Sequence, residues 1–357
     1  MADWNRGRML VAAVVLAVLA ISGVAAAAPG KTVYFLSWGG TIQTMLEKEG
    51  WAQQFTKDTG YTLVLVPKAT SSEIIATAIA QKDRPQVDVV MCDLAAWQDG
   101  LKQGVFAAID QGQVPNLARL YPIARVRDKG VEKGVFTYAD VVGLLYQPDV
   151  FKKNGWAPPT GWKDLMRPEL KGKIIIPPVS NTYGLYTLIE LARMNGGGER
   201  DVEPGFVAMK KLAPGVVDWT TTFAKIGGLM QSETAAIAVF GNGSGWELKK
   251  RGVPMEVVIP APAYMSPTVA GVVQGAPNPE GARVLLNWLI SEKVLQYRAE
   301  RFGQTPMNRD VKLTGEAAER VVTGKDFDRL AVIDYEYVGT QRAAWNARFE
   351  REVAPIK

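Results

Sequence analysis

KIIIPPVSNTYGLYTLIELARM, residues 173–194, changes its period part-way along. Ile174, Ile175 and Ile176 form a β-branched run that reads as a buried strand, and Pro177 and Pro178 end it by removing the amide donors a ladder needs. Ser180, Asn181 and Thr182 supply N-cap chemistry, while Leu185, Leu188, Ile189 and Ala192 fall on one helical stripe. The segment is therefore strand, loop, helix. In an open α/β sheet such a junction lies at the carboxyl end of a strand, where backbone amides and hydroxyls can hold a ligand's anionic group. A structural helix with a good cap is the other reading.

The same logic recurs upstream. Val33 to Leu36 reads as a strand, Ser37-Trp38-Gly39-Gly40 as a loop, and Ile42, Met45 and Leu46 as the buried side of a helix. Gly39 and Gly40 allow either a sharp turn or close backbone approach to a ligand. Thr62 to Val66 and Asp88 to Met91 are further strands, with a helix entered through Thr70-Ser71-Ser72 between them. Strands alternating with helices predict a parallel sheet with right-handed crossovers, which puts Asp93 on the same edge as Trp38. Gly134 to Tyr146 reads as extended. A second α/β unit follows from residue 173, with helices near Pro204 to Leu212 and Thr222 to Met230 and strands at Val216 to Trp219 and Ala235 to Phe240. Gly241-Asn242-Gly243-Ser244-Gly245 reads as a glycine loop lacking the dinucleotide spacing. Met255 to Pro260 and Val269 to Gln274 are extended, and the chain ends in helices, the last from about Val338 to Glu352.

Composition excludes several chemistries. Arg6 and Arg8, the apolar run Met9 to Ile21 and Ala25-Ala26-Ala27 make a secretory signal over residues 1–27, with mature protein from Ala28. No later segment approaches a membrane span, so a soluble periplasmic protein is expected. The net charge of +5 falls by one on cleavage, and Lys and Arg are scattered, so no nucleic-acid surface is expected. The chain has no histidine, which removes His-based acid-base catalysis and His-ligated metals, and with Cys92 alone no intrachain disulfide can form. No cofactor and no metal are expected.

The pieces VYFLSWGG, DVVMCDLAAWQDGLKQGVFAAID, GWKDLMRPELKGKI, FGNGSGWELKKRG, PEGARVLLNWLIS and YVGTQRAAWNARFEREV occur in that order. Together they resemble the extracytoplasmic solute-binding proteins of ABC importers, of the type II periplasmic class and its spermidine/putrescine-binding branch. The resemblance implies an α/β fold of two lobes joined by two crossing strands, closing by a hinge on a ligand in the cleft. It divides the chain into lobe I, residues 28–138 and 265–308, and lobe II, residues 139–264 and 309–357. The implied partners are a small-molecule solute and the permease subunits of the inner membrane, and the protein is expected to be a monomer.

Polyamine binders hold their cation with acids and an aromatic cage. By the resemblance Trp38 matches the cage tryptophan and Tyr264 an aromatic of the second crossing segment. The acids do not match: Ser266 stands for an Asp, Val179-Ser180-Asn181-Thr182-Tyr183 replaces an acidic pair, and Tyr335 takes the place of a terminal Gln. A desolvated polycation without counter-charges is costly, so spermidine fits poorly. Asp93 stands where relatives usually have Ser, and it either caps the following helix or receives an amine. An acid on one lobe facing hydroxyls at a helix start on the other suits a solute with both an amine and an acid: an amino-acid derivative, an opine-like conjugate or an aminophosphonate. The candidate ligand set is Trp38, Gly39, Gly40, Asp93, Ser180, Asn181, Thr182, Tyr183, Asn242, Tyr264, Ser266 and Tyr335. Three alternatives stand beside it: polyamine binding, a Cys92-dependent enzyme on the same fold, and ferric-ion binding through Tyr335 and Tyr337.

Overall fold

Ile174–Ile175 is a strand and Asn181 caps the helix Thr182–Met194, so the deciding stretch folds as read. The computed structural model of the protein describes residues 30–331 and 333–356. The signal-peptide reading of residues 1–27 and the start at Ala28 lie outside them. Ile174, Ile175 and Ile176 are each almost wholly buried, worth about 2 kcal/mol apiece in apolar transfer.

The strands, in chain order, are β1 (Thr32–Trp38), β2 (Thr62–Lys68), β3 (Val89–Asp93), β4 (Arg125–Asp128), β5 (Val131–Tyr146), β6 (Ile174–Ile175), β7 (Val216–Asp218), β8 (Ile237–Gly241), β9 (Glu256–Val258), β10 (Met265–Val272) and β11 (Thr305–Pro306). They run in the order β2-β1-β3-β10-β5-β8-β6-β7. β1, β2 and β3 are parallel, as are β6, β7 and β8; β10 and β5 are antiparallel to their neighbours and join the two halves. β5 serves both. Its residues from Val135 to Val141 pair with β10, and those from Val142 to Tyr146 pair with β8. A strand buried on both faces should read as a continuous apolar run. From Gly134 to Leu145 only Asp140 breaks the burial, and it sits at the junction of the halves.

The apolar core divides at the same place. Val141 and Met265 belong to the first cluster, Val142 and Tyr264 to the second. The change of cluster thus falls at 141/142 in the first crossing strand, and around 263 to 265 at the second, where Ala263 and Met265 pack on the first cluster and Tyr264 on the second. After residue 308 the chain keeps contacts with the first half: Arg309 Nη2 donates to the Ala118 carbonyl at 2.6 Å and Val322 N–H to Thr305 Oγ1 at 3.2 Å, and from Ala331 it packs on the second cluster.

The glycine stretch after β8 is the first turn of the helix Asn242–Lys250 rather than a loop. Its glycines serve close packing: a Cβ on Gly245 would come within 2.7 Å of Val257 and 2.9 Å of Leu145. The closing helix, Tyr335–Glu352, begins three residues before Val338 because Asp334 caps it, accepting from Tyr337 N–H at 3.0 Å.

Candidate ligand cleft

Parallel pairing of β1 with β3 brings Trp38 and Asp93 to one sheet edge. The helix Ser71–Ala80, which follows β2, adds Ser71. Trp38 Nε1 donates to Ser71 Oγ at 3.2 Å, and the Ser71 hydroxyl donates to Asp93 Oδ2 at 2.5 Å. The other carboxylate oxygen, Oδ1, accepts from Ala96 N–H at 3.2 Å and caps the helix Leu94–Lys102. Asp93 is therefore a helix cap, and it also lines the cleft.

Across the cleft, Asn181 Oδ1 accepts from Tyr183 N–H at 2.9 Å. Thr182 and, one turn later, Tyr186 face the opening. Tyr186 Oη donates to the Met265 carbonyl at 2.7 Å, and Tyr335 Oη reaches the same carbonyl at 3.4 Å. Burial pushes the Tyr335 hydroxyl up to about 12 and Tyr186 well above its ordinary range, so both remain protonated donors. Arg342, from the closing helix, donates through Nη2 to the Ser180 carbonyl at 2.7 Å and lines the same space.

Ser71, Asp93, Thr182, Tyr186, Tyr335 and Arg342 line a cavity of about 400 Å³ shared by both lobes and the hinge residue Ser266. Asp93 and Ser266 also line a second chamber of about 460 Å³, with Trp38, Gly39, Gly40, Tyr138 and Asp140. The volumes suit a small solute. Burial pushes Asp140 up to about 6 against the opposing pull of Arg298.

Of the candidate residues, Trp38, Gly39, Gly40, Asp93, Thr182, Ser266 and Tyr335 line these two spaces. Five others do not. Ser180 is exposed and engages Arg342 only through its carbonyl. Asn181 is spent on capping. The Tyr183 hydroxyl lies against Gly241, with its ring 5.2 Å from that of Phe240. Asn242 is buried: its Oδ1 accepts from Val141 N–H at 2.9 Å and its Nδ2 donates to the carbonyls of Gly303, at 3.3 Å, and Arg320. Tyr264 is fully buried in the second core, donating to Glu190 Oε2 at 2.6 Å and accepting from Arg193 Nη1 at 3.1 Å, so it is a core residue rather than a cage wall.

Sequence reasoning missed Ser71, Tyr138, Asp140, Tyr186 and Arg342. Asp140 has a signal, a lone charge in the apolar run YADVVGLLY; Ser71 reads only as part of a helix entry, and Arg342 sits in a helix of mixed polarity with no local mark. Cys92 is buried, and burial pushes its thiol well above the ordinary range, the reverse of an activated nucleophile. Tyr335 turns to the hinge carbonyl while Tyr337 lies under Arg200, 4.6 Å from ring to guanidinium, so the two have different partners.

Residues 50–321 match the family of bacterial extracellular solute-binding proteins. The chain belongs to that family. Its members are the solute-capturing components of ABC transporters, and its fold is the two-lobed type II periplasmic binding protein fold. The chain is similar to the spermidine/putrescine-binding periplasmic protein of Escherichia coli K12, at 24% identity over 313 residues, covering 86% of this chain and 85% of that one. It is also similar to a Salmonella typhimurium periplasmic protein named as a candidate 2-aminoethylphosphonate binder, at 22% identity over 302 residues, covering 78% and 83%. Among solved structures, an ABC transporter protein from Clostridium perfringens superimposes with a TM-score of 0.77 at 21% identity, covering 90% of this chain and 99% of its own. Among the described residues no helix of this solute-binding protein is long and apolar enough to cross a membrane, and no group of three or more Asp, Glu or Cys residues is placed to hold a metal ion.

Proposed function

We propose that this solute-binding protein captures, in the periplasm, a small solute carrying both a cationic and an acidic group, and delivers it as a monomer to inner-membrane permease subunits. The observation that carries the reading is the single cavity in which Asp93 of one lobe faces Thr182 and Arg342 of the other. Asp93 keeps lone pairs for an ammonium beside Ser71, and the helix start with the Arg342 guanidinium suits a carboxylate or phosphonate. Trp38 offers a ring face to the cation. Polyamine binding is the second reading, favoured by the spermidine/putrescine-binding relatives and by the second carboxylate, Asp140, in the Trp38 chamber.

Native mass spectrometry of protein purified without refolding, followed by calorimetric titration with the recovered solute, tests the reading. An amino acid derivative or aminophosphonate is expected, and it should raise the melting temperature, since a hundredfold excess over Kd adds about 2.7 kcal/mol of stability. A recovered neutral sugar, or a panel of amines, amino acids and phosphonates that leaves the melting temperature unchanged, would overturn it.

A further inference from the structure

Asp140 is the one residue that interrupts the buried run of the hinge strand, and among the described residues its carboxylate takes part in no hydrogen bond or ion pair. It is open to the Trp38 chamber on one side and, on the other, to a neighbouring cavity of about 480 Å³. Gly243 borders that second approach without a side chain: a Cβ there would stand against Asp140 Oδ1 at 3.6 Å. A half-buried, unpaired carboxylate is unfavourable unless something charged meets it.

Arg298 is the cation whose charge acts on Asp140, and its Nε and Nη2 have no hydrogen-bond partner among the described residues, while the arginines of the neighbouring cavity are engaged elsewhere. Arg298 lies over the Tyr138 ring at 4.0 Å and donates to Met45 Sδ at 3.2 Å. In the neighbouring cavity Arg251 pairs with Glu247 at 3.0 Å, Arg301 with Glu49 at 2.9 Å and Arg320 with Glu316, which leaves Lys250 at that cavity's rim. The phenols closest in charge, Tyr138 and Tyr183, are held protonated by burial, and Lys68 and Asp93 complete the charged lining of the Trp38 chamber.

Resting on the dual-charge reading above, we propose that Asp140 is a second cation-recognition residue, and that the solute therefore carries two cationic nitrogens and one acidic group, the charge pattern of a diamino acid or its conjugate. Asp93 receives one ammonium and Asp140 the other, with Trp38 and Tyr138 supplying ring faces between them, while the acid lies at Thr182 and Arg342. Each carboxylate of the chamber wall then meets an ammonium of the solute directly, beside the Lys68 and Arg298 charges already near them.

Three probes separate the contributions in calorimetric titration at pH 8: ornithine with two amines and an acid, putrescine with two amines alone, and γ-aminobutyrate with one amine and an acid. Asp140→Asn should weaken ornithine and putrescine about thirtyfold or more and γ-aminobutyrate less than about threefold. In the parent, ornithine affinity should fall as the pH drops through about 6, where Asp140 takes up its proton, and the Asn variant should lack that step. Equal losses on all three probes, or none, overturn the assignment. So does a ¹³C carboxyl resonance of Asp140 that neither ornithine nor putrescine moves, a measurement needing no variant. Loss of γ-aminobutyrate binding in Asp93→Asn, with Asp140→Asn silent throughout, would leave the dual-charge reading standing and remove only the second cation site.

Discussion

The first-lobe face of the cleft is one hydrogen-bonded chain, from Trp38 Nε1 through Ser71 to Asp93 and on to the Ala96 amide, built from three strand ends of a parallel sheet. The opposite face is assembled from distant segments: Thr182 and Tyr186 on one helix, Tyr335 and Arg342 on the closing helix, with the Met265 carbonyl of the hinge receiving both tyrosine hydroxyls. The first face is preorganised by its own sheet. The second depends on the closing helix staying docked against the second core through Val338, Trp345 and Phe349. A ligand touching Tyr186 and Tyr335 therefore touches the groups that hold the hinge, and binding and hinge angle are physically joined.

The largest expected effect tests the preorganised face. Asp93→Asn keeps the shape and, because Asn is as good a cap as Asp, should leave stability close to the parent's, while removing a charge-assisted contact worth about 2 to 5 kcal/mol of affinity. Titration calorimetry with the recovered solute, beside a thermal melt, reads both. Undiminished affinity would make Asp93 a cap only and move the ligand's amine elsewhere.

Asp140 supplies a contrast within the same cleft, a carboxylate with no hydrogen-bond or ion-pair partner among the described residues and only the charge of Arg298 opposing its burial. Its folded value, raised to about 6, lies above the ordinary carboxylate range, so protonation favours the fold: its stabilising contribution is fully present below about pH 4 and lost as pH rises through about 6. Asp140→Asn should then stabilise the ligand-free protein by about 2 to 3 kcal/mol at pH 8 and by nearly nothing at pH 4. Urea unfolding at the two pH values measures the gap, and a gap that does not change with pH would contradict the cause assigned. A variant more stable yet poorer at binding is the expected mark of a charge kept for a ligand.

Asn242 tests the joint between the faces. Its side chain ties the β5 amide of Val141 to the carbonyls of Gly303 and Arg320, so Asn242→Ala leaves buried backbone groups without partners. About 2 kcal/mol of stability should be lost by chemical denaturation, with solute affinity changed only slightly. A large affinity loss at full stability would return Asn242 to the ligand set.

What could be read from the chain followed periodicity. The Ile174–Ile176 run, the strand ends at Trp38 and Asp93 and the extended segment to Tyr146 are local patterns, and they fix the strands and the sheet edge that borders the cleft. Of the residues matched through the resemblance, Ser266 and Tyr335 line the cleft and Tyr264 does not. Tyr264 lies just outside β10, which begins at Met265, and its ring packs in the second core while Ser266 within the strand lines the cavity. The glycines around Asn242 suggested a loop because sequence does not show that their missing Cβ atoms make room for Leu145, Val257 and the Phe302 carbonyl. Arg342 was beyond reach for a different reason: its place in the cleft depends on how an 18-residue helix at the end of the chain docks on residues 182–186.

The smallest expected effect separates capping from contact on the assembled face. Asn181 accepts from the Tyr183 amide at 2.9 Å and lies outside the cavity lining, whereas its neighbour Thr182 is within it. Asn181→Ala should therefore cost about 1 kcal/mol of stability, the usual worth of an N-cap, and shift Kd by less than about threefold, since the helix-start amides and Arg342 remain. If Asn181 instead touches the solute's acid, affinity should fall while the melt changes no more than the cap requires, and the loss should be absent with a diamine that has no acid to place there. Parallel titrations of parent and variant with an acidic amine and with putrescine decide between these. An acid-specific loss beyond about threefold would place the anion one residue earlier on the helix start than Thr182, and with it the whole ligand axis closer to Ser180 and the Arg342 guanidinium.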